Sequence, residues 1–401
     1  MSLIDVLFDG LSIGAVLLIV ALGLAIVFGL MGVINLAHGE LMMFGAYTTY
    51  VVQNVFNSLG DGISGFYIWA ALPLAFIVAA LVGLVLERGV IRFLYGRPLE
   101  TLLATWGVSL ILRQFVRSAN WAMVLAIAAF CLLFLGGRWL LNRTRRQPPP
   151  IATLLLLVLS AGIGLALGAL FNRQSVLSKL WFGPRNVDVT APSWLQGSWS
   201  PASLFSEEFR TTNEWAQTLG LLDFPTARLF IVGLTIVCIV GVYWFLQGSA
   251  WGLRIRSVTQ NRNMSACLGI PTERVDALTF ALGSGLAGIA GFAVTLLGSV
   301  GPNLGGNYIV DAFMVVVVGG VGKLVGSIVA ALLIGIVSYL VGSGTLGLLL
   351  PSTEIFQPAL EIVNFFATSS MAKVLVFALI IAFLQIKPAG LFPQKGRSVE
   401  A

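Results

Sequence analysis

Gly29-Leu30-Met31-Gly32-Val33-Ile34-Asn35-Leu36-Ala37-His38-Gly39-Glu40 interrupts an apolar run that extends over residues 11–56. At about 1.5 Å per helical residue, this run reaches roughly 69 Å, which is a little more than two hydrocarbon cores of about 30 Å. The run therefore predicts two membrane passages with no watery loop between them. A broken helix that carries polar groups at this depth is tolerated only where it is buried in protein or lines a water-filled path.

The polar residues of the break allow three interpretations. In a structural one, Asn35 caps the second helix, Glu40 lies near the positive end of that helix, and His38 is a satisfied interfacial histidine. In a functional one, the three residues contact a translocating solute, because carboxylates at this depth are costly and face a bundle interior or a cavity. A contact with another subunit is the third. A single histidine, without a cluster of Cys or carboxylates at ligand spacing, predicts no metal site.

The composition is that of a membrane protein. The chain is 58% hydrophobic and 10% charged, whereas soluble domains are about 25% charged. We predict an all-α, polytopic integral membrane protein of about eleven transmembrane helices, with broken or re-entrant segments. The candidate spans lie near residues 12–30, 33–56, 66–87, 98–116, 121–141, 151–171, 227–247, 275–297, 307–322, 325–349 and 371–387.

The distribution of Lys and Arg predicts the orientation. Most of the 23 basic residues fall in short loops on one side of the predicted spans, which places the N-terminus outside and the C-terminus in the cytoplasm. They form no basic face, so no nucleic-acid partner is expected. The hydrophilic stretch at 172–226 is then outside. Its Trp and Pro residues indicate an ordered cap, which is either a docking surface for an external protein or an interfacial aromatic belt.

The inner loop at 248–274 carries a predicted short helix. Gly269 and Pro271 form an ordinary helix stop. The basic residues of the loop face lipid headgroups or an acidic partner, so that an interfacial helix and a cytosolic docking helix both remain open. These residues are Arg254, Arg256 and Arg262.

The sequence lacks the motifs of an enzyme. The glycines around Lys323 lack the first glycine spacing of a phosphate loop and the Ser or Thr that follows its Lys, so a tight turn between two spans is expected. Nothing indicates a Ser–His–Asp arrangement or a cofactor site. Acidic residues within the spans are few, chiefly Glu40 and Asp311, whereas ion-coupled carriers usually need more. This scarcity favours an energy source on another subunit.

Four stretches together resemble the branched-chain amino-acid type permeases of ABC importers. They are Ile34–Glu40, Ala277–Gly283, Gly319–Gly322 and Lys387–Leu391. The resemblance implies a subunit of the bacterial inner membrane without a cofactor of its own. It implies as partners a second homologous permease subunit, an extracytoplasmic solute-binding protein and two cytosolic ATPases that bind ATP and Mg. Segment 257–270 would be the coupling helix on an ATPase, and its loop supplies the candidate coupling residues Arg254, Arg256, Asn261, Arg262, Ala266 and Gly269.

Within that family, Trp181–Val189, Gln260–Met264 and Asn307–Asp311 resemble the urea-importer permeases of B type. Urea is therefore the expected cargo, and an amino acid is the alternative. A stand-alone carrier or channel is a third hypothesis. Recognition of neutral urea would use paired donors and acceptors. The candidate pathway or gate residues are Asn35, His38, Glu40, Asn307 and Asp311.

The resemblance also divides the chain. It covers most of the sequence except about 119–172, which we interpret as an inserted transmembrane hairpin. The other segments are N-terminal transmembrane helices at 1–118, an extracytoplasmic loop at 173–226 and C-terminal helices at 227–401, which include the coupling loop. An even number of added spans leaves every later loop on its original side of the membrane.

Overall fold

The computed structural model describes residues 3–60, 65–144, 150–201, 223–344, 365 and 368–392. This part of the chain is predominantly helical with very little strand, which confirms the predicted fold class. Its helices are α1 (Leu3–Met31), α2 (His38–Leu59), α3 (Tyr67–Gly89), α4 (Pro98–Ser118), α5 (Trp121–Thr144), α6 (Pro150–Phe171), α7 (Thr226–Gly248), α8 (Ala250–Gln260), α9 (Arg262–Cys267), α10 (Thr272–Thr295), α11 (Leu304–Gly319), α12 (Leu324–Gly342) and α13 (Ser369–Ile386).

Short elements complete the described structure. Two 3-10 helices span Ile91–Leu94 and Ser193–Leu195. Strands β1 (Ser198–Trp199) and β2 (Phe224–Pro225) pair antiparallel.

Seven of the described helices, namely α1, α3, α5, α6, α7, α10 and α12, are long and apolar enough to cross a membrane. Helices α11 and α13 are shorter but also apolar. Each predicted span contains a helix, although some ends differ. Helix α1 begins at Leu3 rather than near residue 12, because the apolar pattern continues toward the N-terminus with Asp5 in the first turn. Helix α2 begins at His38 rather than at residue 33, and residues 345–349 of the tenth span lie outside the described residues.

The chain divides into two compact units. The first comprises residues up to Ser109 together with those from Val187 onward. Helices α1 and α10 form its core, and 83% of the apolar window of each is buried. Helix α1 packs against α7, α10, α11 and α12, while α10 packs against α1, α2 and α3. These two helices therefore position every element that carries a candidate site residue in this unit.

The second unit comprises Leu110–Asn186 and contains the paired helices α5 and α6. Trp121 and Trp181 pack edge to face with ring centroids 4.9 Å apart. None of the apolar window of α5 is buried, as expected for side chains that face lipid. The segment at 119–172 lies within this unit, and its origin as an insert stays a prediction.

The part of the long hydrophilic loop from Val187 to Pro201 packs within the first unit. Val187 pairs with Val300 in an isolated β-bridge. The Thr190 carbonyl accepts hydrogen bonds from Gln53 Nε2 at 2.7 Å and from the Tyr67 hydroxyl at 2.9 Å. These bonds support an ordered cap over residues 187–201, whereas Trp215 lies outside the described residues.

The glycine-rich segment around Lys323 is the tight turn that the sequence predicts. The Lys323 N–H donates to the Gly320 carbonyl at 3.1 Å, and the turn joins α11 to α12. Both flanking helices are apolar and pack against each other.

Candidate functional site

The break between α1 and α2 is a compact polar turn. Gly32 ends α1 with φ +68°, a conformation that favours glycine, and its N–H donates to the Phe28 carbonyl at 3.0 Å. Asn35 Oδ1 then accepts a hydrogen bond from the Ala37 N–H at 3.0 Å. The N-cap position is held by Ala37, which has no side-chain cap bond. Asn35 therefore closes the turn before α2 and is not the cap that the structural interpretation assigns to it.

The break lies deep beside α1 rather than at its end. His38 Nε2 is 3.2 Å from the Val20 carbonyl oxygen. Val20 lies three helical turns before Met31, so the His38 ring contacts α1 about 16 Å before the end of that helix. A Cβ placed on Gly23 would be 3.0 Å from His38 Cε1 and 2.5 Å from the Gly283 carbonyl oxygen. The imidazole is therefore held between the backbones of α1 and α10.

Two polar atoms of the break have no protein partner among the described residues. Because a carbonyl can only accept, His38 Nε2 carries the proton that it donates to Val20. His38 Nδ1 is then an acceptor without a partner, and Asn35 Nδ2 is a donor without one. Both side chains are fully buried. Buried polar atoms of this kind usually meet water or a ligand, so the break offers one donor and one acceptor to a small polar molecule.

Helix α4 supports the break through two hydroxyl groups that sequence reasoning missed. Thr105 Oγ1 accepts from the Leu36 N–H at 3.2 Å. Ser109 Oγ donates to Glu40 Oε1 at 2.9 Å, and both hydroxyl groups are buried. Their spacing of four residues on an apolar helix puts them on one face, which is the signal that could have identified them. Glu40 lies in the first turn of α2, as predicted.

The other two candidate pathway residues lie on α11. Gly305 in the first turn of this helix is in backbone contact with Gly39, so α11 touches the break directly. Asn307 is exposed, and its carbonyl accepts from Lys373 Nζ at 3.3 Å. Asp311 forms an ion pair with the same ammonium at 3.2 Å. Sequence reasoning did not identify Lys373, because it lies on α13, far along the chain.

The Asp311–Lys373 pair faces a cavity of about 350 Å³ between α1, α11, α12 and α13. We call this cavity the ion-pair pocket. Its lining combines apolar side chains with side chains that carry hydroxyl groups. Its lining includes Leu17, Tyr308, Asp311, Tyr339, Lys373 and Phe377. The Tyr339 hydroxyl also donates to Asp9 Oδ2 at 2.5 Å, and Asp9 pairs with Arg228. The pocket thus combines opposite charges with an aliphatic surface, which is typical of small-molecule sites.

The predicted coupling segment 257–270 is not one continuous helix: it contains the end of α8 and the whole of α9, because Asn261 between them has an extended backbone. Asn261 caps α9, since its Oδ1 accepts from the Met264 N–H at 3.0 Å. At the other end Gly269 has φ +80°, its N–H donates to the Ala266 carbonyl, and the Ile270 N–H donates to the Ser265 carbonyl. This is a Schellman motif, so the predicted stop at Gly269 is confirmed. Ala266 and Gly269 are exposed.

The arginines of the coupling loop contact groups of their own chain. The Arg254 guanidinium lies 4.8 Å from the Trp251 ring centroid, and Arg256 Nη1 donates to Gln247 Oε1 at 2.8 Å. Arg262 forms an ion pair with Asp276 at 2.5 Å. These contacts within the chain therefore hold the coupling loop in position.

Arg262 also lies 4.8 Å from the Tyr95 ring centroid. The Tyr95 hydroxyl donates to Glu87 Oε1 at 3.1 Å. Burial raises the pKa of the Tyr95 phenol above its usual range, and the charges of Asp276 and Glu87 raise this pKa further. The phenol therefore remains a hydrogen-bond donor at physiological pH.

Across the described residues, no group of three or more His, Cys, Asp or Glu side chains is placed to hold a metal ion. Cys131, Cys238 and Cys267 are free thiols.

Comparison with known proteins identifies a family. A family model described as "Branched-chain amino acid transport system / permease component" matches residues 6–384. The high-affinity branched-chain amino acid transport system permease protein LivH of Salmonella typhimurium is 24% identical over 387 residues, which are 96% of this chain and 94% of the relative. LivH of Escherichia coli K12 is 23% identical over the same shares. The permease protein BraD of Pseudomonas aeruginosa is 24% identical over 332 residues, which are 82% of this chain and 83% of the relative. No solved structure matches the chain.

The matched residues include the break, the ion-pair pocket and the coupling loop. The many apolar helices agree with a multi-pass membrane protein of this kind. The chain therefore belongs to the family of permease components of branched-chain amino acid transport systems.

Proposed function

We propose that the chain is the membrane-spanning subunit of an ATP-driven importer whose cargo is an α-amino acid. The family match and the printed names of the relatives favour an amino acid over the urea that the sequence resemblance implies. Permease components of ABC transporters are not enzymes, as the missing catalytic motifs led us to expect. The observation in the structure that supports the proposal most is the Asp311–Lys373 pair at the wall of the ion-pair pocket.

The ion-pair pocket suits a zwitterion. A cargo carboxylate would meet the Lys373 ammonium, and a cargo ammonium would meet the Asp311 carboxylate. The Lys373 side chain is 50% exposed and that of Asp311 is 14% exposed, so the lysine can swing aside while the aspartate stays in place. Leu17 and Phe377 would pack against an aliphatic cargo side chain. Intramembrane charges that line a cavity often mark a substrate path.

The break is the proposed gate of this path. It lies next to the first turn of α11, because Gly39 and Gly305 are in backbone contact. The unsatisfied atoms of Asn35 and His38 can bind a polar molecule in transit. The carboxylate of Glu40 is fixed by Ser109. A shift of α11 would therefore move the ion-pair pocket and the gate together.

The proposed assembly follows the family resemblance. It contains a second homologous permease subunit, two cytosolic ATPases that bind ATP and Mg, and an extracytoplasmic solute-binding protein. The N-terminus would be outside and the coupling loop in the cytoplasm of a bacterial inner-membrane protein. The exposed side chains of Met264 on α9 and of Leu268 just after it would then face an ATPase.

Urea is the second candidate cargo. Trp181–Val189, Gln260–Met264 and Asn307–Asp311 favour it by resemblance. The break also supplies an unsatisfied donor and acceptor to a neutral solute, at Asn35 and His38.

Uptake by the reconstituted importer distinguishes the two cargoes. Proteoliposomes that contain the complete complex and the binding protein are supplied with labelled leucine or labelled urea, with and without ATP. We expect ATP-dependent leucine uptake, which Lys373→Gln lowers at least about tenfold by removing a charge-assisted hydrogen bond. The exposed Lys387→Gln serves as the control and should leave uptake unchanged.

The opposite pattern would reject the amino-acid proposal. ATP-dependent urea uptake that leucine does not inhibit, and that Lys373→Gln leaves unchanged, would assign urea as the cargo. Passive flux through the chain alone, without ATPases, would instead indicate a stand-alone carrier or channel.

A further inference from the structure

Two buried carboxylates lie where α3 ends and α10 begins. Glu87 on α3 and Asp276 on α10 are 1% and 3% exposed. Contacts through Tyr95 and Arg262 link the two carboxylates, since Tyr95 contacts Glu87 and Arg262 contacts both Tyr95 and Asp276. Carboxylates in such a place need partners, because burial of an unpaired charge is strongly unfavourable.

The partners of these carboxylates come from two other segments. Tyr95, in the loop after α3, donates to Glu87 Oε1 at 3.1 Å. Arg262 on α9 pairs with Asp276 at 2.5 Å and lies 4.8 Å from the Tyr95 ring centroid. The four residues thus form a continuous chain, which we call the carboxylate clamp. It connects α3, α9 and α10 through one guanidinium group.

The other charged side chains nearby are more exposed, or act more weakly on the two carboxylates. Arg92 pairs with Glu273, but their side chains are 43% and 65% exposed, so water screens this pair. Arg88 and Arg92 also act on Glu87, less strongly than Tyr95 and Asp276 do. Arg262 is therefore the cation that compensates the buried Asp276.

The two sides of the Arg262–Asp276 pair differ in their access to water. The Arg262 side chain is 44% exposed, whereas that of Asp276 is 5% exposed. A displacement of α9 can therefore move the guanidinium into water, while the carboxylate stays buried beside Glu87. Repulsion between the two carboxylates would then push apart the ends of α3 and α10.

Helix α10 connects the carboxylate clamp to the break. Gly283, about two turns after Asp276, has its carbonyl oxygen next to Gly23 and the His38 ring. Phe280, between them, belongs to a buried cluster with Val27 of α1. A tilt at the start of α10 is thus transmitted within roughly 10 Å to the packing around the break.

We propose that Arg262 is the removable counter-charge of this clamp, and that an ATPase moving α9 opens the gate by withdrawing it from Asp276. The inference rests on the proposed importer function, because the ATPase supplies the movement. Arg262, Tyr95, Glu87 and Asp276 are positioning residues in this scheme, since they act on the gate through α3 and α10.

Two variants separate a switching role from a structural one. Arg262→Gln removes the counter-charge and leaves both carboxylates, so the helix ends should stay apart in every state. The triple variant with Glu87→Gln, Arg262→Gln and Asp276→Asn removes all three charges, so the helix ends should stay together in every state. A purely structural network would make both variants change in the same direction.

The distance between spin labels on Gly89→Cys and Arg274→Cys reports these states. Both positions are exposed, at the end of α3 and the start of α10. The complete complex is measured with and without ATP, in a background without the native cysteines. In the parent we expect a short distance without ATP and a longer one with it. Arg262→Gln should give the longer distance and the triple variant the shorter one, whether or not ATP is present. Each should lower cargo uptake at least about tenfold while ATP hydrolysis continues.

The resting distances test the carboxylate clamp without any nucleotide. Equal resting distances in the parent and in Arg262→Gln would overturn the inference, as would normal uptake by the triple variant. Suppose that the distance in the parent does not change when ATP is added, and that the resting distance in Arg262→Gln is longer than in the parent. This result would overturn the importer proposal instead.

Discussion

Gly39→Ala tests whether the break is held in backbone contact with α11. A Cβ on Gly39 would lie 2.7 Å from the Gly305 carbonyl carbon and 3.0 Å from its Cα. Carbon atoms in ordinary contact are about 3.5–4.0 Å apart, so α2 and α11 must separate by roughly 1 Å. Overpacking of this kind costs about 1–3 kcal/mol. We expect the upper half of that range, because the opposing atoms are backbone rather than a flexible side chain.

The assay is thermal unfolding of the detergent-purified complex, followed by size-exclusion chromatography, together with ATP-dependent uptake. A cost of about 3 kcal/mol corresponds to a roughly 150-fold change in an equilibrium constant. Gly107→Ala is the matched control, since this α4 glycine has no atom within 4 Å of an added Cβ. Alanine there should be neutral or stabilising by up to about 1 kcal/mol. The packing of the break as described would be refuted if Gly39→Ala unfolded at the same temperature as Gly107→Ala and kept full uptake.

Two further substitutions test single hydrogen bonds. Ser109→Ala removes the hydroxyl that donates to the buried Glu40 carboxylate, and we expect a loss of about 1–3 kcal/mol in thermal unfolding; an unchanged Tm would show that Ser109 does not support the break. Asn261→Ala removes the cap of α9 at a cost of about 1 kcal/mol. It should weaken ATPase binding in a pull-down, whereas Asn261→Asp, which keeps the capping oxygen, should bind as the parent does. Equal binding by both variants would argue against a capped α9 as the coupling helix.

The local features of the fold could be predicted from the sequence. Apolar segments of sufficient length predicted each described membrane helix, because the bilayer fixes the length of a span. Gly32 and Gly269 marked helix ends, since each supplies the positive φ that the end requires. The glycines around Lys323 were identified as a turn for the same local reason.

The tertiary features of the fold could not be predicted from the sequence. The pattern around Asn35 left a cap, a solute contact and a subunit contact open, and the depth of the break depends on where His38 packs against Val20 of α1. The support from Ser109 and the pairing of Asp311 with Lys373 join residues that are far apart in sequence. Arg262 was predicted as an interfacial or docking residue, yet its ion pair with Asp276 depends on how α9 folds back onto α10. These contacts join different segments of the chain, so the hydrophobic periodicity of any one segment does not predict them.

The most direct test of the proposed gate is the state-dependent accessibility of a cysteine within the break. Leu36→Cys, half-buried between Asn35 and Ala37, is introduced into a chain without native cysteines and exposed to a charged thiol reagent, in the complete complex with and without ATP. Leu132→Cys is the control, since this exposed residue lies on the apolar helix α5. A gate predicts that the reagent modifies Leu36→Cys in one nucleotide state and not in the other. If the reagent modified Leu36→Cys in neither state, as we expect for Leu132→Cys, the result would contradict a solute path through the break.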